Sequence, residues 1–269
     1  MPRPPGRRAF VTVAVVTAAA AACGERDGDA LDAAGADAVA DDAVADDAAP
    51  DACPDDMVPV GETCMDRYEA PNLAGALPLV MYTFVEAEAW CAAREKRLCF
   101  DDEWQLACAG AGGDRYPYGD QHHPGTCNDD ATWRTYDQSR LNGWPASASA
   151  PAVGSLAELF AAAAAVSTAG ATAATHVEAL YQGTGGGARA GCVRDGVFDL
   201  VGNVEEWTRR RDGGQPQFHG NLKGRYWAEA RTCQSSVLVH GDTFRFYEIG
   251  FRCCAEPARG RAERPPPAR

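Results

Sequence analysis

The chain has 269 residues and a formal net charge of −13, from 25 Lys and Arg against 38 Asp and Glu. That length holds one large domain or two small ones with tails. The acidic balance excludes phosphate-backbone binding as the main activity, since such binding needs a basic face, and no nucleic-acid partner is expected.

The charge is unevenly spread. Residues 1–22 carry three Arg and no acid, whereas residues 23–56 carry twelve acids and one base. The body from 57 to 256 holds 25 acids and 17 bases, and the tail 257–269 has four Arg and one Glu. The first segment reads as an export signal. Arg3, Arg7 and Arg8 precede an apolar run from Ala9 to Ala22 that is shorter than the roughly 20 residues a spanning helix needs. The run ends Ala20-Ala21-Ala22-Cys23, which resembles the lipobox of bacterial lipoproteins and makes Cys23 the expected lipid attachment point. The alternative is an ordinary small-residue cleavage site with Cys23 incidental. With lipidation the protein is exported to a bacterial cell envelope and attached to the membrane by its lipid alone.

Residues 23–52 therefore comprise the lipidated cysteine and a low-complexity acidic linker. The linker has no aromatics and only Leu31, Val39 and Val44 as large aliphatics, too little apolar surface to offset the entropy of ordering. The Arg/Pro stretch 257–269 is expected to be disordered for the same reason. Residues 53–256 remain as one domain, long enough for a single core.

Within it, Thr83 followed by Glu86 is a capping-box signature that opens a helix over 84–95. A second helix is expected over 101–109, with Asp101 or Asp102 as its cap. Between Tyr116 and Gly154 the turn motifs YPYGD, HHPG and LNGWP predict irregular chain. The Ala-rich segment 156–180 reads as an insertion loop with a helical turn or two. VFDLV (197–201), LKGRYW (222–227) and IGFRCC (249–254) read as short strands or strand ends. Few long elements, many loops and many cysteines predict an α+β fold held by cross-links.

Eleven cysteines suit an oxidising compartment. With Cys23 lipidated, the other ten are even in number and form up to five disulfides. Cys53 and Cys64 bracket a short loop and suit a pair; the rest cannot be connected from sequence. A zinc site is not indicated, because the five His do not cluster with cysteines and no C-x2-C occurs. Gly183 to Gly187 is glycine-rich but lacks the Gly-Lys-Ser/Thr of a phosphate loop. Arg209-Arg210-Arg211 reads as a solvated turn, with peptide-carboxylate binding as the alternative. His122-His123 reads as surface, and Trp90, Trp104 and Trp207 as core. His240 follows Cys233 by seven residues, a spacing that assigns no general base.

The string WCAAREKRLCFDDEWQLACAGAGGDRYPYGD (90–120) resembles a pattern of the formylglycine-generating enzyme, or sulfatase-modifying factor, family. Cys127-Asn128, DLVGNVEEW (199–207), LKGRYW (222–227) and IGFRC (249–253) follow in the family's order. The resemblance implies the family's compact α+β fold, related to C-type lectins and poor in regular secondary structure. It also implies copper. In characterised members two cysteines between the KGGS and GFR blocks bind Cu(I), a soft cation that favours thiolates, and the copper activates O2 to oxidise a sulfatase cysteine to formylglycine. Here only Cys233 lies between Lys223 and Arg252, so it is the one candidate catalytic cysteine. The first copper cysteine falls near Ala228 or Glu229, and Gly224-Arg225-Tyr226 replaces the Gly-Gly-Ser.

The resemblance further implies calcium, a hard cation that takes oxygen donors. Asp199, Gly202, Val204 and Glu206 match one family site, with carboxylates from the acids and main-chain carbonyls from Gly202 and Val204. Alternatively Asn203 and Glu206 only hydrogen-bond the turn. Asn128 and Asp129 match a second site, which Asn142 and Trp144 would complete. Two functions follow: an oxidase-type member acting on a protein or peptide partner in the envelope, or a non-catalytic, calcium-stabilised lectin-like binding module.

Overall fold

In the computed structural model, residues 53–229 and 231–258 are described. Cys23, the expected signal and linker, and the tail from residue 259 lie outside them. No helix among the described residues is long and apolar enough to cross a membrane.

The chain enters as a hairpin, β1 (Met57–Val60) and β2 (Thr63–Asp66), and then forms helix α1 (Phe84–Ala92). The Thr83 Oγ1 accepts the Glu86 N–H and the Glu86 carboxylate accepts the Thr83 N–H, closing the expected capping box. The helix stops three residues short of the expected end. Glu95 is left-handed, at φ 58°, and the Lys96 N–H returns to the Cys91 carbonyl, which is helix-terminating geometry. β3 (Arg97–Leu98) leads into α2 (Asp101–Ala109). There the Phe100 N–H is taken by Glu103, while Asp101 and Asp102 accept the N–H groups one residue on.

Residues 116–154 are irregular apart from α3 (Gln138–Leu141) and one 3-10 turn (Ala146–Ala148). The Ala-rich segment departs from the sequence expectation. It forms two packed helices, α4 (Leu156–Val166) and α5 (Thr168–Leu180). Alanine has the highest intrinsic helix propensity, and serines punctuate the run: Ser155 caps Glu158, and Ser167 ends α4 and caps α5 at Gly170. Small side chains also let the helices meet closely. A Cβ on Gly170 would lie 2.2 Å from the Ala163 carbonyl oxygen.

The C-terminal half builds the sheets. β4 (Val193–Arg194) pairs with β5 (Val197–Phe198). β6 (Glu205–Arg209) is the centre of a three-stranded sheet, antiparallel to β7 (Gly220–Lys223) and parallel to β8 (Ile249–Phe251). β9 (Cys253–Ala255) sits between β2 and β3 in a four-stranded sheet. The expected strand 249–254 is thus two strands broken at Arg252.

All ten cysteines of this region are paired: Cys53–Cys64, Cys91–Cys253, Cys99–Cys254, Cys108–Cys233 and Cys127–Cys192. Successive residues of a strand point to opposite faces. Cys253 therefore ties β9 to α1 through one apolar cluster, and Cys254 ties it to the β3–α2 junction through the other. The fold is the expected mixture of helix and sheet, poor in regular structure and rich in disulfides.

Gly170→Ala tests the helix hairpin. In an exposed helix this change stabilises by about 1 kcal/mol; here the approach to Ala163 reverses the sign, and thermal unfolding should show a lowered Tm. An unchanged or raised Tm would mean the two helices are less tightly apposed.

Candidate functional site

The alternation of β6 sends its two adjacent glutamates to different partners. Glu206 is buried and receives Arg252 bidentately, Nε to Oε2 and Nη2 to Oε1, each at 2.7 Å; Trp104 Nε1 adds a bond to Oε2 at 3.1 Å. Arg252 also donates to the Phe198 carbonyl at 2.9 Å. Glu69, which follows the hairpin, accepts from the Asn203 amide at 2.9 Å and from the Val204 N–H at 3.3 Å. Asp199 accepts the Gly187 N–H on Oδ2, and its Oδ1 is buried without a partner.

Three buried carboxylates thus lie near one guanidinium, which is paired with Glu206 alone among them. Burial, with the charges of Asp199 and Glu206, pushes the Glu69 carboxyl well above the ordinary range. Burial also pushes Asp199 up to about 6.

Of the expected calcium residues, Asp199, Gly202, Val204 and Glu206 all lie in or beside this cluster. No three His, Cys, Asp or Glu side chains converge on one point among the described residues, so a cation here depends on carbonyls as well as carboxylates. The donors fit that role. Asp199 Oδ1 is unclaimed, and Glu206 Oε1 accepts only Arg252, so one of its two lone pairs is left. Asn203 meanwhile hydrogen-bonds Glu69 and accepts from the Thr184 N–H, so turn bonding and cation donors coexist.

Asn128 and Asp129 pack against the same turn. The Asn128 carbonyl accepts the Asn203 N–H at 2.7 Å, and a Cβ on Gly202 would touch it. Asp129 pairs with His122 Nε2 at 2.8 Å through Oδ2, while its Oδ1 is buried and unpartnered. Burial raises the Asp129 carboxyl, with His122 opposing. Of the residues expected to complete that site, the Asn142 amide oxygen accepts from Gln138, and the Trp144 indole donates to Ser149. His122, read as surface, is a partner of the buried acid.

Glu205 leads to the second cluster. It accepts from Arg225 Nη1 at 2.8 Å, and the same guanidinium pairs with Glu229, which also binds Arg231. Ala228 and Glu229, near which the first copper cysteine was expected, bring no thiol, and Glu229 is engaged in these ion pairs. Arg225 holds a left-handed backbone, φ 58°, directly after Gly224 at 81°. Nearby Glu248 is 8% exposed, and its Oε2 and the Tyr247 hydroxyl are buried without partners. Burial and then the Glu205 charge push Glu248 up to about 8.

Cys233, the expected catalytic thiol, is bonded to Cys108. In that form it offers no thiolate for attack or for Cu(I). Its fully buried sulfur leaves His240 without a thiol partner; the His240 ring stacks on Phe244 at 3.8 Å instead. Sequence reading missed Glu69, Arg252, Glu205 and Glu248. Arg252 carried a signal, a lone charge inside the apolar stretch IGFRCC.

This constellation defines a disulfide-locked domain of the formylglycine-generating type. The sulfatase-modifying factor enzyme 1-like domain family matches residues 54–257, most of the chain, and the protein belongs to that family. No curated protein matches it. Among solved structures, the crystal structure of CarF is similar at a TM-score of 0.45 and 13% identity, covering 72% of this chain and 86% of that one.

The Glu248 carboxyl predicts a pH dependence. It binds its proton more tightly folded, near 8, than unfolded, near the ordinary 4.5. Its contribution to stability is full below that lower value and is lost as pH rises through 8. Glu248→Gln should therefore flatten the decline of Tm between pH 5 and pH 9 and exceed the parent in Tm at pH 9. Parallel parent and variant curves would sink the assignment.

Proposed function

We propose that this protein is an exported, lipid-anchored member of the family whose domain binds a partner in the cell envelope and does not oxidise cysteine through copper. The observation that carries the reading is the Cys108–Cys233 disulfide, together with the Glu229–Arg225 ion pair in the stretch, near Ala228 or Glu229, where the resemblance puts the other copper cysteine. Cu(I) needs soft thiolate donors; a disulfide and a carboxylate supply none. The residues therefore do not fit copper, and no step is derived through it. The pairing of all ten cysteines from Cys53 to Cys254 supports Cys23 as the odd one, available for a lipid, and a five-disulfide domain suits an exported setting. The partner class is a protein or peptide.

The test pairs two assays on the full chain. Thiol titration in denaturant without reductant should find no free thiol in the domain. A copper-loaded assay on a sulfatase-motif peptide should give no formylglycine. Turnover of that peptide would overturn the reading in favour of an oxidase.

Calcium belongs to the same proposal as a structural ion. Asp199 would hold it, with the Gly202 and Val204 carbonyls and the remaining lone pair of Glu206. A divalent cation there would balance the excess of negative charge left by Glu69, Asp199 and Glu206 against Arg252. It would pin the 199–206 turn to the sheet, with no part in chemistry. Because a ligand that binds only the folded state stabilises it, chelation should lower Tm by about 3 °C or more. An identical Tm with and without chelator removes calcium from the account.

A further inference from the structure

A cleft between α2 and β7 takes no part in either acid cluster. It encloses about 330 Å³ and is lined among others by Asp101, Gln105, Leu106, Asn221, Lys223 and Ser236. Its floor consists of buried side chains whose hydrogen-bonding capacity is not used up. Asn221, 3% exposed, donates to Asp101 Oδ2 at 3.1 Å and to Ser236 Oγ at 3.2 Å, but its Oδ1 is buried with no donor. Lys223, 1% exposed, donates to two neutral oxygens, Gln105 Oε1 and Ser236 Oγ, both at 3.3 Å. An ammonium has three hydrogens, so one remains to be shared. Its Nζ lies 5.5 Å from the Trp104 ring, and among the described residues its hydrogen-bond partners are those two neutral oxygens. Such burial is unfavourable for a charge and pulls the amine down to about 8.

The charges around the cleft select the ligand. An anion entering it meets Asp101 and Asp102 at the rim, and a cation meets Lys223 on the floor. Hydroxyl groups suit both, because each donates and accepts. Leu106, 40% exposed, and Ala109 supply an apolar wall beside this polar floor. A ring with a hydroxylated edge and a C–H face matches that division.

We propose that the cleft binds a neutral sugar ring, one of two adjacent hydroxyls accepting from Lys223 Nζ and the other donating to Asn221 Oδ1. The site uses neither calcium nor the copper position, so it stands or falls separately from the binding reading above.

The experiment is an NMR titration of the full chain with glucose, galactose, mannose and N-acetylglucosamine, with glucuronate and glucosamine as charged controls. At least one neutral sugar should bind saturably, more tightly than either charged derivative, and equally well in the presence of chelator. Lys223→Met should weaken that binding at least about tenfold, the scale of one lost buried hydrogen bond. If that variant does not fold, Gln105→Ala and Leu106→Ser, both at exposed positions, carry the test with about a threefold loss each. The proposal is overturned by any one of four results: no neutral sugar bound up to about 100 mM, preference for glucuronate or glucosamine, loss of binding on chelation, or folded variants that bind like the parent.

Discussion

The buried pair between Arg252 and Glu206 is the constraint around which the rest is arranged. Arg252 stands at the break between β8 and β9, and its guanidinium reaches across to β6 and to the Phe198 carbonyl of β5. Glu206 is at once held by Trp104 of α2. Four elements are thereby fixed relative to one another by a single charge contact. Desolvating two charges offsets much of their attraction, so such a pair is weak evidence for stability, yet leaving either partner alone in the core is strongly unfavourable. The contact therefore acts as a geometric condition: the strands fit only when both ends are in place.

The disulfides work on the same junction from outside. Cys253 and Cys254 directly follow Arg252 and bond to Cys91 and Cys99, at sequence separations of 162 and 155. Closing loops of that length removes much unfolded-chain entropy, about 4–5 kcal/mol each in the chain-entropy model. A domain with so little regular structure gains order from these links that ladders of hydrogen bonds would supply elsewhere. The Asp66 carboxylate adds to the fixation by accepting the Cys253 N–H at 3.0 Å and pairing with Lys96.

Local signals in the sequence were legible where their cause is local. Thr83 with Glu86 places α1 because a cap needs only its own turn; the cap of α2 was expected at Asp101 or Asp102, whereas the helix opens at Phe100, whose N–H is taken by Glu103. Cysteine parity likewise announced a fully paired domain, but not which sulfurs meet, since Cys108 and Cys233 are 125 residues apart. The segment 156–180 misled for a physical reason: alanine and glycine read as loop until a partner helix makes their smallness useful at the Gly170–Ala163 approach. The carboxylates of the 199–206 block stood out in the sequence as candidate cation ligands, but the guanidinium that pairs with Glu206, Arg252, lies 46 residues from it. Glu248 offered no sign at all, because its perturbation comes from burial beside Glu205 and not from any neighbour in the chain.

Glu205 and Glu206 show how one strand divides this protein into two environments. Glu206 faces Arg252, whereas Glu205 faces Arg225, a residue placed where the family pattern has glycine. A non-glycine residue in the left-handed region is held there only when surrounding contacts over-determine it, and Arg225 has two carboxylates to do so. The strand thus gives the core one ion pair, Arg252 with Glu206, and sets a second, Arg225 with Glu205, on its other face.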